Sequence, residues 1–126
     1  MSGNVDNFLL DTNIVIYLSQ RRLRISDFAK NGGELYISSM TYIEALGFVF
    51  PSQDAEREVA EICENLDRFF LTKEIERKTI HIRKSKKIKL PDAIIAATAI
   101  LHDLTLVTCN SDDFKNIPEL KILNPF

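Results

Sequence analysis

The sequence predicts one α/β domain in which a parallel β-sheet is covered by helices on both faces. Short apolar segments alternate with helical segments through the 126 residues, which is the order that a parallel sheet with helical crossovers produces. No linker, internal repeat or low-complexity stretch interrupts that order. We therefore expect a single domain over residues 1–126, long enough to bury a core without disulfides.

The alternation assigns each element in turn. Five apolar runs are predicted as strands: Phe8–Leu10, residues 35–37, a short run at 70–71, residues 104–108, and Lys121–Leu123. Six segments are predicted as helices: residues 12–20, 25–30, 40–50, 54–69, 74–87 and 91–102. The helix at 54–69 is the most amphipathic, since Val59, Leu66 and Phe69 fall on one stripe. Pro51 is expected to end the helix at 40–50.

Composition and charge limit the class of function. The net charge of −2 argues against a protein that wraps duplex DNA, so any contact with nucleic acid is expected to be local. Cys63 and Cys109 form neither a metal-ligand spacing nor a disulfide framework, which favours a reducing compartment. The first residues have neither a basic segment nor a long apolar stretch, so we expect no signal peptide, and no run in the sequence approaches about 18 apolar residues. We expect a cytoplasmic protein with no membrane segment.

Polar residues follow the predicted strands at one edge of the sheet, where open parallel sheets bind ligands. Asp11 follows the first strand, Asn110 follows the fourth, and Asp92 lies in the first turn of the helix that leads into the fourth. Each has a structural alternative: Asp11 as a helix N-cap, and Asp92, after Pro91, as a first-turn acid that complements the helix dipole. Both interpretations remain open at this point.

Glu44 is the only charged residue between Met40 and Phe50. With Thr41 and Gly47 it forms one narrow polar stripe on an otherwise apolar helix. That stripe faces either bulk water or a polar cleft, and we favour the cleft because the flanking apolar residues leave little room for a solvated face.

Three carboxylates that converge would repel one another and raise their own pKa values, and a divalent cation would remove that cost. Oxygen ligands without His or Cys select Mg²⁺ or Mn²⁺. Such ions bind phosphate oxygens and activate water for in-line displacement, which is the chemistry of nucleases and phosphatases.

Four motifs resemble those of the PIN-domain family in order, most closely its VapC-type toxins of toxin–antitoxin pairs. They are LLDTN at residues 9–13, SMTYIE at 39–44, LPDAIIAA at 90–97 and LVTCNSDDF at 106–114. The resemblance spans nearly the whole chain. It implies a three-layer fold with a five-stranded parallel sheet, and Mg²⁺- or Mn²⁺-dependent endonuclease activity on RNA.

The resemblance also implies roles for individual residues. Asp11, Glu44 and Asp92 match the acidic triad of the family, with catalytic and metal-binding roles. Asn110 matches the fourth catalytic position, where many relatives carry Asp, and Asp113 or its neighbour Asp112 is a further candidate metal ligand. Thr12 and Thr108 resemble family hydroxyls that orient the acids or the phosphate. The implied partners are RNA, a small antitoxin that covers the cleft, and a second copy of the chain.

The segment from Arg83 to Lys89 carries five cations in seven residues and ends just before Asp92. It is either a solvated helix end or a patch that contacts RNA phosphates through Lys84, Lys86 and Lys87. A second cluster, Arg21, Arg22 and Arg24, has the same ambiguity. His81 and His102 are expected to be surface or packing residues.

Two rival functions are weighed against a nuclease. A non-catalytic module that binds RNA or protein on the same fold would bind RNA without cleavage and regardless of EDTA. A phosphate-accepting signalling domain is disfavoured, because Thr12 rather than a second acid follows Asp11, and no lysine follows the last strand.

Overall fold

Every strand in the described part of the chain pairs in parallel. The computed structural model describes residues 6–126, so part of the N-terminal stretch on which the signal-peptide expectation rests lies outside it. The strands are β1 (Phe8–Leu10), β2 (Leu35–Ser38), β3 (Asp67–Phe69), β4 (Thr105–Val107) and β5 (Lys121–Leu123). Their order is β3-β2-β1-β4-β5, so the chain builds outward from β1 in one direction and then in the other. The crevice at that reversal, between β1 and β4, is where such sheets bind ligands.

Helices cover both faces of the sheet and give three layers. They are α1 (Thr12–Ser19), α2 (Ser39–Leu46), α3 (Gln53–Glu64), α4 (Lys73–Ser85) and α5 (Leu90–Leu101), with short 3-10 turns at Ile25–Asp27 and Ser111–Phe114. Strand β1 divides its side chains between two cores because successive residues point to opposite faces. Leu9 packs with α4 and α5, whereas Phe8 and Leu10 pack with α1, α2 and α3. The predicted fold class and the parallel sheet are therefore confirmed.

Four predicted elements differ from the structure. The helix predicted at 54–69 ends at Glu64, where Asn65 caps it, and its last predicted residues form β3, so the short strand at 70–71 lies instead at Asp67–Phe69. Leu66 and Phe69 have helical spacing but contribute to the cores from outside the helix. The helix predicted at 40–50 already ends at Leu46, with Gly47 as its C-cap, and the one at 25–30 is a single 3-10 turn.

The end of α2 at Leu46 leaves Phe48 and Val49 on the surface, where Phe48 is 51% and Val49 99% exposed. No helix within residues 6–126 has the length and apolar character needed to cross a membrane.

Candidate active site at the reversal of strand order

A pocket of about 210 Å³ lies at the carboxyl ends of β1 and β4. We call it the acid pocket; it is lined by Asp11, Thr12, Asn13, Glu44, Phe48, Asp92 and Asn110. Strands β1 and β4 pair through Leu10 and Val107, and the Asp11 N–H continues the ladder with a 3.0 Å hydrogen bond to the carbonyl of Val107. The structure thus brings the three acids of the predicted triad, which come from separate segments, to one pocket.

Asp11 is held through both carboxylate oxygens. Its Oδ1 accepts a 2.8 Å hydrogen bond from the Thr12 N–H, and its Oδ2 accepts a 2.8 Å bond from the Thr108 hydroxyl. The first bond makes Asp11 the N-cap of α1, as the structural interpretation predicted, and the same side chain also lines the acid pocket. Only 7% of the residue is exposed.

Opposing influences act on the pKa of Asp11. Burial raises it most strongly, because a charged carboxylate loses hydration inside the protein. The hydrogen bonds from Thr108 and Thr12 lower it, and the charges of Glu44 and Asp113 raise it. The net direction is upward, so the metal-free site resists full ionisation of Asp11.

Glu44 is held beside Asp11 by Thr12. The Thr12 hydroxyl donates a 2.8 Å hydrogen bond to Oε1 of Glu44, while the backbone of the same threonine caps Asp11. Glu44 therefore faces the predicted polar cleft, although its side chain also reaches solvent. The other residues of its stripe differ: Gly47 is exposed, and Thr41 is fully buried, with a hydroxyl that has no hydrogen-bond partner among the described residues.

Asp92 enters the acid pocket from the first turn of α5, directly after Pro91. The pKa of Asp92 is raised to about 6, first by burial and then by the charges of Asp11, Asp113 and Glu44, while Lys89 opposes the rise. Each of the other three carboxylates thus acts on Asp92 through space. Asp92 is the residue on which the like-charge repulsion of this site is most evident.

The loop after β4 supplies the remaining acidic and amide groups. Asn110 lines the acid pocket, and its backbone N–H donates a 3.0 Å hydrogen bond to the Thr108 hydroxyl. Asp113 raises the pKa values of both Asp11 and Asp92, but with Asp112 it lines a neighbouring groove rather than the acid pocket. Phe114 is 1% exposed and anchors this loop in the core.

That neighbouring groove has a volume of about 580 Å³ and meets the acid pocket at Asp92. Its lining residues are Arg83, Lys87, Ile88, Lys89, Asp92, Asp112 and Asp113. Of the lysines predicted to contact RNA, Lys87 lines the groove, whereas Lys84 and Lys86 do not. The sequence indicated the cationic segment but not Arg83 and Lys89 in particular, because the side chains that line the groove depend on how the end of α4 and the start of α5 pack.

The remaining candidates lie elsewhere. Arg21 approaches Glu58 at 3.9 Å and Arg22 lies over the ring of Tyr17, so neither cation lines the acid pocket. His102 stacks on the ring of Phe69 with centroids 4.0 Å apart. His81 is exposed on α4.

The donor chemistry of the acid pocket fits a hard divalent cation. Its charged lining groups are carboxylates, with no His or Cys among them, and their mutual repulsion is the cost that a cation relieves. Within residues 6–126, no three His, Cys, Asp or Glu side chains already converge as a ligand set. The fit is therefore one of charge and donor type and not of preformed coordination geometry.

Comparisons with known proteins agree with this geometry. Residues 8–120 match the PIN domain family. The protein is similar to ribonuclease VapC2 of Haemophilus influenzae, with 33% identity over 93% of this chain and 96% of the relative. Among solved structures, a toxin–antitoxin complex from Klebsiella pneumoniae matches with a TM-score of 0.73 at 30% identity, over 95% of this chain and 98% of that one. A DNA-bound VapBC from Salmonella typhimurium matches with a TM-score of 0.77 at 26% identity, over 96% and 99%.

Proposed function

This chain belongs to the PIN domain family, within it to the VapC-type ribonucleases, and we propose that it is the metal-dependent endoribonuclease toxin of a toxin–antitoxin pair. The observation that carries the proposal is the acid pocket. Asp11, Glu44 and Asp92 come from three segments and share one pocket, where the charges of Asp11 and Glu44 raise the pKa of Asp92. A cluster of carboxylates that opposes its own charge is suited to a cation and not to a structural role.

Asp11, Glu44 and Asp92 would hold a Mg²⁺ or Mn²⁺ ion, with Asp113 as a further ligand. When bound, such an ion supplies activation of water and stabilisation of charge on the phosphate. Asn110 would contact the phosphate or an attacking water from the rim of the acid pocket, which it lines.

The two threonines are positioning residues in this proposal. Thr108 and the Thr12 backbone restrict Asp11 to one orientation, and the Thr12 hydroxyl does the same for Glu44. Preorganised ligands lose less conformational freedom when the ion and substrate arrive, which favours the bound state. The order in the site thus exists before any ligand binds.

The expected partners are RNA, a small antitoxin protein and a second copy of the chain. The Klebsiella relative was solved as a toxin–antitoxin complex, which supports the antitoxin. The family resemblance is the basis for the homodimer and for a cytoplasmic location. The competing function is a non-catalytic RNA- or protein-binding module on the same fold, and cleavage assays distinguish the two.

The direct test is cleavage of RNA by the purified protein. We expect products with Mn²⁺ or Mg²⁺ and none with EDTA. Asp11→Asn, Glu44→Gln and Asp92→Asn should each abolish cleavage with a native circular dichroism spectrum. Asp67→Asn removes an exposed carboxylate at the start of β3 and is the matched control, expected to cleave normally. RNA binding without cleavage, unaffected by EDTA, would support the non-catalytic module.

A thermal-shift titration tests the metal site without the correct RNA. The wild type should gain stability on addition of Mn²⁺, because a ligand bound only by the folded state stabilises that state. In EDTA, Asp11→Asn should melt at a higher temperature than the wild type, which corresponds to a gain of about 1 kcal/mol in the free energy of unfolding. Its melting temperature should respond much less to Mn²⁺. Equal melting in EDTA and equal responses to Mn²⁺ would limit Asp11 to its N-cap role.

A further inference from the structure

Three cations are among the residues that line the groove adjoining the acid pocket. We propose that Arg83, Lys87 and Lys89, here called the basic wall, bind the RNA backbone at phosphates next to the scissile one. This inference rests on the proposed nuclease function and adds to it the path of the substrate. It also replaces two of the lysines, Lys84 and Lys86, that the sequence alone had suggested.

Continuity of the two cavities is the first argument. Asp92 lines both the acid pocket and the groove, so a strand whose scissile phosphate lies in the acid pocket can continue directly along the basic wall. The groove, at about 580 Å³, is more than twice the volume of the acid pocket, at about 210 Å³. It therefore has room for chain on one side of the reacting phosphate.

The charges of the basic wall are the second argument. Within residues 6–126, none of its three cations lies within 4.0 Å of a carboxylate oxygen, whereas Lys78 pairs with Glu119 and Lys121 pairs with Asp103, both at 2.9 Å. The charge of Lys89 acts on Asp92 from a longer distance, but no close ion pair among the described residues occupies the wall cations, so they are available to an incoming anion. Because the whole chain has a net charge of −2, attraction of RNA must come from such a local group and not from the overall field.

The groove also has acidic lining residues. Asp112 and Asp113 line the same groove as the cations and would repel a phosphate that came close to them. A strand in the groove is therefore held to the basic wall and kept away from the loop after β4. Contacts of this kind position the backbone and are independent of base sequence, so they should lower KM and leave kcat unchanged.

The cationic segment at residues 83–89 contains a matched control for the basic wall. Lys84 and Lys86 lie in the same stretch as Arg83 and Lys87, but they do not line the groove. The double variants Arg83→Gln/Lys87→Gln and Lys84→Gln/Lys86→Gln remove the same charge from the same part of the chain. Any difference between them reports on position and not on net charge.

The test measures binding of a fluorescein-labelled 12-nucleotide single-stranded RNA by anisotropy. An Asp11→Asn background with Mg²⁺ separates binding from cleavage. Arg83→Gln/Lys87→Gln should weaken binding at low salt at least about 10-fold and reduce the salt slope by about 1.4, since each phosphate contact on a single strand contributes about 0.7. Lys84→Gln/Lys86→Gln should change the Kd less than about 3-fold. With Asp11 restored, the first pair should raise KM at unchanged kcat.

Two results would overturn the basic wall: equal effects of the two double variants, or no binding of the probe by the Asp11→Asn protein with all its cations intact. Equal melting temperatures of the two variants exclude a folding defect as the cause of a difference. If the wild type never cleaves RNA but its RNA binding is weakened by Arg83→Gln/Lys87→Gln, the nuclease proposal is refuted. The proposal that the basic wall binds RNA is then still supported. The failures of the two proposals are therefore distinguishable.

Discussion

The hydroxyl of Thr108 donates a 2.8 Å hydrogen bond to Oδ2 of Asp11, and the two residues are 97 positions apart in sequence. They follow β4 and β1, which are neighbours in the sheet. The same hydroxyl oxygen accepts the Asn110 N–H at 3.0 Å, so its own hydrogen is directed at Asp11. Asn110, Thr108 and Asp11 are thereby linked in one chain of hydrogen bonds.

Thr108→Val should lower kcat/KM for RNA roughly 10- to 100-fold, because a hydrogen bond to a charged group is worth about 1.5–3 kcal/mol. Loss of this bond removes an influence that lowers the pKa of Asp11. The acidic limb of the pH–rate profile should therefore move to higher pH. Thr108→Ser keeps the hydroxyl and should restore both quantities. A profile that stays in place while stability falls would show that Thr108 only packs.

Asp92→Asn should remove a pH dependence of stability. The pKa of Asp92 is about 6 in the folded protein against an ordinary 3.8, so the folded state binds this proton more tightly than the unfolded chain. In EDTA, the contribution of Asp92 to the free energy of unfolding is therefore greatest below about pH 3.8 and is lost as the pH rises through 6. Relative to the wild type, the variant should gain about 1 kcal/mol across this window after allowance for solvent screening.

Urea titrations of both proteins from pH 4 to 7 in EDTA measure that difference. Asp67→Asn, with an exposed carboxylate on β3, should show no comparable gain. A constant offset between Asp92→Asn and the wild type at every pH would mean that neither burial nor the neighbouring carboxylates raise the pKa of Asp92 in the folded protein. Such an offset would reflect only the interaction with the helix dipole.

Thr41→Val should stabilise the protein by about 1 kcal/mol, because it removes a buried hydroxyl that has no partner among the described residues and keeps the side-chain shape. Thr98→Val is the matched control. Its hydroxyl is also buried but donates a 2.7 Å hydrogen bond to the carbonyl of Ile94, so this variant should not gain stability. Chemical denaturation measures the free energy of unfolding of both variants. If Thr41→Val loses as much stability as Thr98→Val, the Thr41 hydroxyl has a further partner such as a buried water.

Much of the site followed from residue order alone. Asp11 comes where the first apolar run ends, and in a parallel sheet such ends meet at one edge, so its position was predictable. Glu44 was identified because it interrupts an apolar helix. Strand β3 was predicted too late in the chain, at 70–71, because the spacing of Leu66 and Phe69 is equally compatible with a helix and only the pairing of Asp67–Phe69 with β2 distinguishes the two.

The sequence by itself therefore determined the α/β class, the parallel sheet and the acids that meet at the edge of β1, because apolar periodicity and strand ends are local properties of the chain. The tertiary structure alone decided that Thr108 bonds to Asp11, that Thr12 serves both Asp11 and Glu44, and that Lys87 reaches the groove while Lys84 does not. It also decided the raised pKa of Asp92. These features depend on distances through space between segments far apart in sequence, and hydrogen bonds and Coulomb interactions act over those distances.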